Sequence, residues 1–109
     1  MADIQPYLKQ IIERFANPGV QTSLKGFTRT ILFKFTDTGE DWLIRAVDGK
    51  EAALARETLA NPDITIILAT DILAGVMDKK INGMTAYMQR KIQTKGAMED
   101  LMKMQKLML

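Results

Sequence analysis

Between residues 24 and 47 the hydrophobic pattern has a period of two, and this stretch narrows the possible folds more than any other. Phe27, Ile31, Phe33 and Phe35 fall on one face of an extended strand, while Thr28, Thr30, Lys34 and Thr36 largely fall on the other. The run breaks at an acidic turn, 37–41, and resumes from Trp42 to Val47 as a second strand, so the pair reads as a hairpin. The turn lacks the alternating acidic ligands of a calcium loop. Asp48-Gly49 signals another tight turn. The single tryptophan, Trp42, is expected in the core or on a cavity wall.

Helical spacing appears on both sides of this unit. Asp3 is placed to cap a helix whose first turn tolerates Pro6, and Ile4, Leu8, Ile11, Ile12 and Phe15 form its inward stripe. Asn17-Pro18-Gly19 stops it. Residues 50–60 are ambiguous. Their alanine and glutamate content favours helix, whereas their position after Asp-Gly favours a third meander strand, and a short strand is the expectation. Residues 64–69 are β-branched and nearly all apolar, which fits a strand buried on both faces. Thr70 or Asp71 then caps a short helix carrying Ile72, Leu73, Val76 and Met77. Asn82 caps the next, which carries Met84, Tyr87 and Met88. Residues 91–95 alternate as a final strand and Gly96 turns the chain.

The last third, 81–109, holds six of the eight methionines. On a helical wheel from Ala97, Met104, Met108, Leu101, Met98, Leu109 and Met102 share one arc of roughly 160°. Glu99, Asp100, Lys103 and Lys106 occupy the other side, and Gln105 alone interrupts the apolar arc. Docking on a core needs a stripe of only about 100°, so this helix has apolar surface to spare. Methionine suits surfaces that accept variable apolar shapes. Two readings follow: the helix closes the core, or it walls a cavity for an apolar ligand. The Gln105 amide then binds either a ligand oxygen or nearby backbone, because a buried unpaired polar group costs about 1–3 kcal/mol.

Composition excludes several classes of function. The 109 residues suit one domain, 1–109, and 47% of them are hydrophobic, ample for one core. The absence of cysteine removes disulfides, thiol nucleophiles and thiolate metal sites, and the absence of histidine removes the usual general base and zinc ligand. No catalytic group, metal site or cofactor is therefore expected. The carboxylates Asp37, Glu40 and Asp41 could do acid–base work only in a polar turn without a nucleophile beside them. A net charge of +2, scattered and without interleaved aromatics, argues against nucleic acid. The basic character is mildly C-terminal, which would suit transient contact with an anionic membrane surface. No signal peptide and no apolar run near 18 residues is visible, so a cytoplasmic location is the expectation.

The chain resembles the sterol carrier protein 2 family of lipid-binding domains. Asn-Pro-Asp-Ile-Thr-Ile (61–66) is similar to the family's Pro-Asp-Val-Thr strand, and Thr-Asp-Ile-Leu (70–73) stands where the family opens a short helix. Ala-Tyr-Met-Gln-Arg-Lys-Ile (86–92) is close to its Tyr/Phe-x-Gln-Gly-Lys-Ile/Leu segment. Residues 96–107 are similar to its Gly-x-Met-x-x-x-Met-Lys-Leu-Gln-x-Leu helix. Arg90 departs from the family glycine, and the alanine-rich 50–57 makes a poor third strand.

The resemblance implies an α/β (α+β) fold. A mostly antiparallel sheet of about five strands is covered by N-terminal and C-terminal helices, with an apolar tunnel between sheet and C-terminal helices. It further implies a fatty acid, fatty acyl-CoA, phospholipid or sterol-like ligand. The residues expected on the tunnel wall are Phe33, Phe35, Trp42, Leu73, Met77, Met84, Tyr87, Met88, Met98, Leu101, Met102 and Gln105. The resulting expectation is a non-catalytic lipid carrier, a monomer or weak homodimer. Its rival is an interaction or dimerisation module that uses the methionine-rich helix.

Overall fold

The computed structural model describes residues 3–108, with side chains described through Met104. The elements are α1 (Gln5–Arg14), α2 (Pro18–Ser23), β1 (Arg29–Phe35), β2 (Asp41–Val47), β3 (Glu51–Ala55), β4 (Ile64–Leu68), α3 (Thr70–Met77), α4 (Gly83–Met88), β5 (Ile92–Lys95) and α5 (Met98–Met108). Among the described residues no helix is long and apolar enough to cross a membrane.

The five strands form one mixed sheet in the order β3-β2-β1-β4-β5. The expected meander is present: β1 pairs antiparallel with β2, and β2 with β3. Its second turn has both Asp48 and Gly49 in left-handed backbone, at φ 55° and 65°. The loop runs from Asp48 to Lys50, whose N–H donates to the Val47 carbonyl at 3.1 Å, and two positive φ angles at the centre of that turn match the right-handed twist of the strands it joins. β4 pairs parallel with β1, and β5 antiparallel with β4.

Register shows which side chains share a face. Phe33 stands opposite Trp42 on one side and Ile66 on the other, and Ile66 stands opposite Thr94. This face, with Ile31, Phe35, Ile44, Ala46, Ile64, Leu68 and Ile92, carries the core and receives Leu8, Ile11 and Phe15 from the N-terminal helix region. The Phe33 and Phe35 rings stack at its centre, 6.3 Å apart. On the opposite face Leu32 and Leu43 pair and are buried. The chain must cross the sheet between edge strand β3 and β4. Segment 56–63 is held to residues of that second face by the Arg45–Glu57 ion pair, a Thr58–Asp41 hydrogen bond of 2.7 Å and a reciprocal Thr30–Asp63 pair.

Several local expectations need correction. The strand begins at Arg29 rather than near Leu24, because Leu24 is the C-cap of α2 and a turn follows it, closed by the Phe27 N–H donating to the Leu24 carbonyl at 2.8 Å. Asn17-Pro18-Gly19 does end the first helix, but Asn17 also caps a new one, accepting from the Gly19 N–H at 2.8 Å. Residue Ile4, not Asp3, is the N-cap of α1, and Asp3 makes only a long contact to the Gln5 N–H, 3.4 Å. Strand β4 is not buried on both faces: Ile64, Ile66 and Leu68 are buried, while Thr65 and Ile67 are half-buried on the outer side. Neither Thr70 nor Asp71 caps α3. Its N-cap is Ala69, and the cap is supplied from the hairpin turn by Asp37, which accepts from the Thr70 N–H at 3.0 Å and the Thr70 hydroxyl at 2.5 Å. The hydrogen bond from the Thr70 hydroxyl, with help from the Thr70 N–H, holds the Asp37 carboxyl below its ordinary range.

Candidate functional site

The sheet's core face is filled by phenylalanines at its centre and opens towards its β5 edge. Strand β5 contributes only Ile92 and Thr94 to that face, which leaves space between β4–β5 and the helices above. The result is an apolar cleft of about 300 Å³. Ile66, Ile92 and Thr94 form its floor. Val76 of α3, Gly83, Met84 and Tyr87 of α4, and Met98, Leu101, Met102 and Met104 of α5 form its walls. Among the described residues, Thr94 and Tyr87 are the only lining side chains with a polar atom. Among the described residues no cluster of acidic side chains could hold a metal.

Helix α5 sits at a rotation that its wheel alone does not give. Its polar side does not simply face water: Asp100 is 7% exposed and accepts from the Arg29 guanidinium at 3.0 Å. Lys103, three residues on, lies over the Phe27 ring at 5.9 Å from its centroid. These two contacts tie the helix to the start of β1. Leu101 and Met104 turn inward, and Met98 and Met102 are left at the mouth, 72% and 60% exposed. Met84, Tyr87 and Met88 of α4 are also exposed. An apolar rim at the mouth of an apolar cleft is a contiguous exposed patch, which marks a binding surface more often than chance.

Of the residues expected on a tunnel wall, Met84, Tyr87, Met98, Leu101 and Met102 come together around this cleft. The others stand elsewhere. Phe33, Phe35 and Leu73 are fully buried in the core, with no side open to the cleft. Trp42 is half-buried against the core, and its indole N–H donates to Glu40 at 3.0 Å. Met77 is buried and opens onto an adjoining groove lined by Arg14, Lys79 and Lys80. Met88 points outward, 76% exposed. The Gln105 side chain lies outside the described ones. Ile66, Val76, Gly83, Ile92, Thr94 and Met104 line the cleft without having been expected there. The first five need the strand register and helix docking to be known. Met104 was already visible on the apolar arc.

The acidic turn is occupied with structural work. Asp37 caps α3, Glu40 accepts from Trp42 and lies 3.6 Å from Arg56, and Asp41 accepts from Thr58.

Arg90 and Lys79 close the ends of their helices in the same way. Each has a φ of 62°. Each follows a helix C-cap and donates its N–H back to the helix, Lys79 to Val76 at 3.1 Å and Arg90 to Tyr87 at 3.0 Å. The next amide does the same one residue further back, Lys80 to Gly75 at 2.8 Å and Lys91 to Ala86 at 2.9 Å. This paired arrangement ends many helices, and its left-handed position normally holds glycine. The turn at Arg90 therefore keeps the geometry that suits glycine, with an arginine in it.

Taken together, the fold and cleft define a small α+β domain with an apolar cleft between a mixed sheet and its C-terminal helices. Residues 8–109 match the model of the SCP-2 sterol transfer family, and the chain belongs to that family. The sterol carrier protein domain 2 of Helicoverpa armigera superposes with a TM-score of 0.74 at 21% identity, covering 96% of this chain and 84% of that one. Palmitated SCP2L2 from Aedes aegypti superposes at 0.75 and 16% identity, covering 98% and 95%. The fold also matches part of the sec-alkylsulfatase Pisa1 from Pseudomonas, at 0.66 and 18% identity. There it covers 81% of this chain but spans only 13% of the sulfatase. A search of curated proteins finds no relative by sequence.

Proposed function

We propose that this protein is a non-catalytic lipid carrier that holds the apolar part of a fatty acid, fatty acyl-CoA, phospholipid or sterol-like ligand in the β4–β5/α4–α5 cleft. The observation that carries this reading is the cleft itself, walled by methionines and rimmed by exposed apolar side chains. Family membership supports lipid binding in general, and the palmitated state of the Aedes aegypti relative is consistent with an acyl chain. Burying a methylene is worth about 0.8 kcal/mol, so a sixteen-carbon chain offers roughly 12 kcal/mol gross. Immobilising it costs about 4 kcal/mol or more, which leaves micromolar affinity. Weak, reversible holding suits a carrier, and flexible methionine walls discriminate little between chain lengths. A cytoplasmic monomer or weak homodimer is the form in which we expect it to act.

The test is native mass spectrometry with extraction of co-purifying lipid, followed by uptake of a fluorescent fatty acid. Thr94→Phe places a ring in the floor of the cleft and should cut uptake at least about tenfold while the protein stays folded. A clean monomer that takes up no fatty acid would refute the proposal. A clean dimer would favour the rival interaction module built on α5.

A further inference from the structure

The segment that supplies most of the cleft's rim is unlike the rest of the chain in charge. Residues 72–98 contain five cations, Lys79, Lys80, Arg90, Lys91 and Lys95, and one acid, Asp78. Ten cations and twelve acids make up the remainder, so the basic charge of the chain is concentrated in this segment. Asp78 is itself engaged, accepting from the Tyr7 hydroxyl at 2.7 Å. All five cations are exposed, and none forms an ion pair among the described residues. The same segment carries four of the exposed apolar side chains, Met84, Tyr87, Met88 and Met98.

Geometry joins Lys79, Lys80 and Arg90 to the apolar set, whereas Lys95, next to the floor residue Thr94 in β5 and opposite Thr65, lies on the other face of the sheet. Lys79 and Lys80 line the groove that shares Val76, Gly83 and Met84 with the cleft. Lys79 and Arg90 bracket α4, one before it and one after, each in left-handed backbone. Left-handed backbone is unfavourable for any residue with a Cβ, and such strain concentrates at functional sites. A cation near a helix C-terminus recovers part of that cost from the helix dipole. Glycine would remove the strain in both turns and would carry no charge.

We propose that the α4-centred face docks the cleft mouth onto a bilayer bearing anionic headgroups. Exposed methionine and tyrosine side chains enter the boundary between headgroups and acyl chains, and Lys79, Lys80 and Arg90 meet the negative surface. Docked this way, the mouth opens directly onto lipid. This partner rests on the reading of the cleft as a lipid site and deepens it.

The test measures sedimentation of the full chain with vesicles of phosphatidylcholine alone and of phosphatidylcholine mixed with phosphatidylglycerol, at low and high salt. Retention is expected on the anionic vesicles only, falling as salt screens the charges. The double variant Lys79→Gly/Arg90→Gly should fold at least as well as the parent yet partition at least about tenfold less. Met88→Asp, outside the cleft lining, should also lose retention. The double variant Lys9→Gln/Lys50→Gln removes the same charge from elsewhere and should bind as the parent does. Fatty acid uptake from solution should be unchanged in all these variants. Uptake without retention on anionic vesicles overturns the docking proposal and leaves the carrier reading intact. Equal losses in both double variants also overturn it, and so does capture of an acidic protein in place of vesicles. Retention without uptake supports docking while removing the proposed cargo.

Discussion

Replacing Arg90 with glycine should stabilise the protein, although the substitution removes a side chain and adds no contact. Arg90 holds φ at 62°, in the left-handed region, and its N–H and that of Lys91 close the end of α4 on Tyr87 and Ala86. A side chain with a Cβ pays about 1–2 kcal/mol for that conformation. Glycine avoids the cost but loses about 0.5–1 kcal/mol through its freer unfolded chain. Losing the cation beside the helix C-terminus removes a few tenths more. Relative to the parent, Arg90→Gly should therefore gain about 0.5 kcal/mol. Arg90→Ala is the decisive comparison, since it loses the same cation and keeps the strain. Glycine should exceed alanine by about 1 kcal/mol, roughly 4–8 °C in Tm for a domain near this size. Urea unfolding with an unchanged slope would measure the difference cleanly. Equal stability of the glycine and alanine variants would show that the left-handed turn is not strained.

Gly49→Ala should cost about 3 kcal/mol, because a Cβ there combines φ 65° with a position 2.1 Å from the Leu24 carbonyl oxygen. Gly26→Ala, at φ 77° with nothing within 4 Å, should cost only about 1 kcal/mol, and chemical denaturation of both variants checks the pair. Asp37→Ala should lose about 1 kcal/mol with the cap of α3. The folded-state pKa of Asp37 lies below its ordinary 3.8, so the carboxylate's contribution is complete above that value and is lost as pH falls through the lower one. An acid titration of stability should accordingly be less steep in Asp37→Asn than in the parent. Met104→Ala, at a buried position on the cleft wall, should cost about 2–4 kcal/mol and enlarge the site, to be read as lower Tm with fatty acid uptake retained.

Strands β1 and β2 were legible because their inward side chains alternate and an acidic turn separates them. The short strand 51–55 was legible from position rather than propensity, since its alanines would otherwise favour helix. Helix α2 was hidden because an asparagine before proline and glycine both stops one helix and starts another. The Asp37 cap was hidden for a different reason: its acceptor and donor are 33 residues apart, beyond any local signal. In the candidate site, the methionines of α4 and α5 could be read from helical spacing. The floor could not, because which residues of β4 and β5 face the helices depends on register. Phe33 and Phe35 share that face but stand at the sheet's centre. The rotation of α5 was settled by Asp100 and Lys103, whose contacts with Arg29 and Phe27 no helical wheel contains.

The parallel pairing of β1 with β4 bears on how the molecule is made. Ile31 waits for Ile64, so the central strand of the sheet keeps one unpaired edge until 33 more residues exist. The β1–β2–β3 meander is local and can form as it emerges from the ribosome, whereas closing the β1–β4 pair means ordering a long intervening loop. Among the described residues, those lining the cleft lie between 66 and 104, within β4 or after it in chain order. The cleft is thus the last part of the domain that synthesis can complete, and until then an apolar sheet face and a strand edge stand open to misassembly.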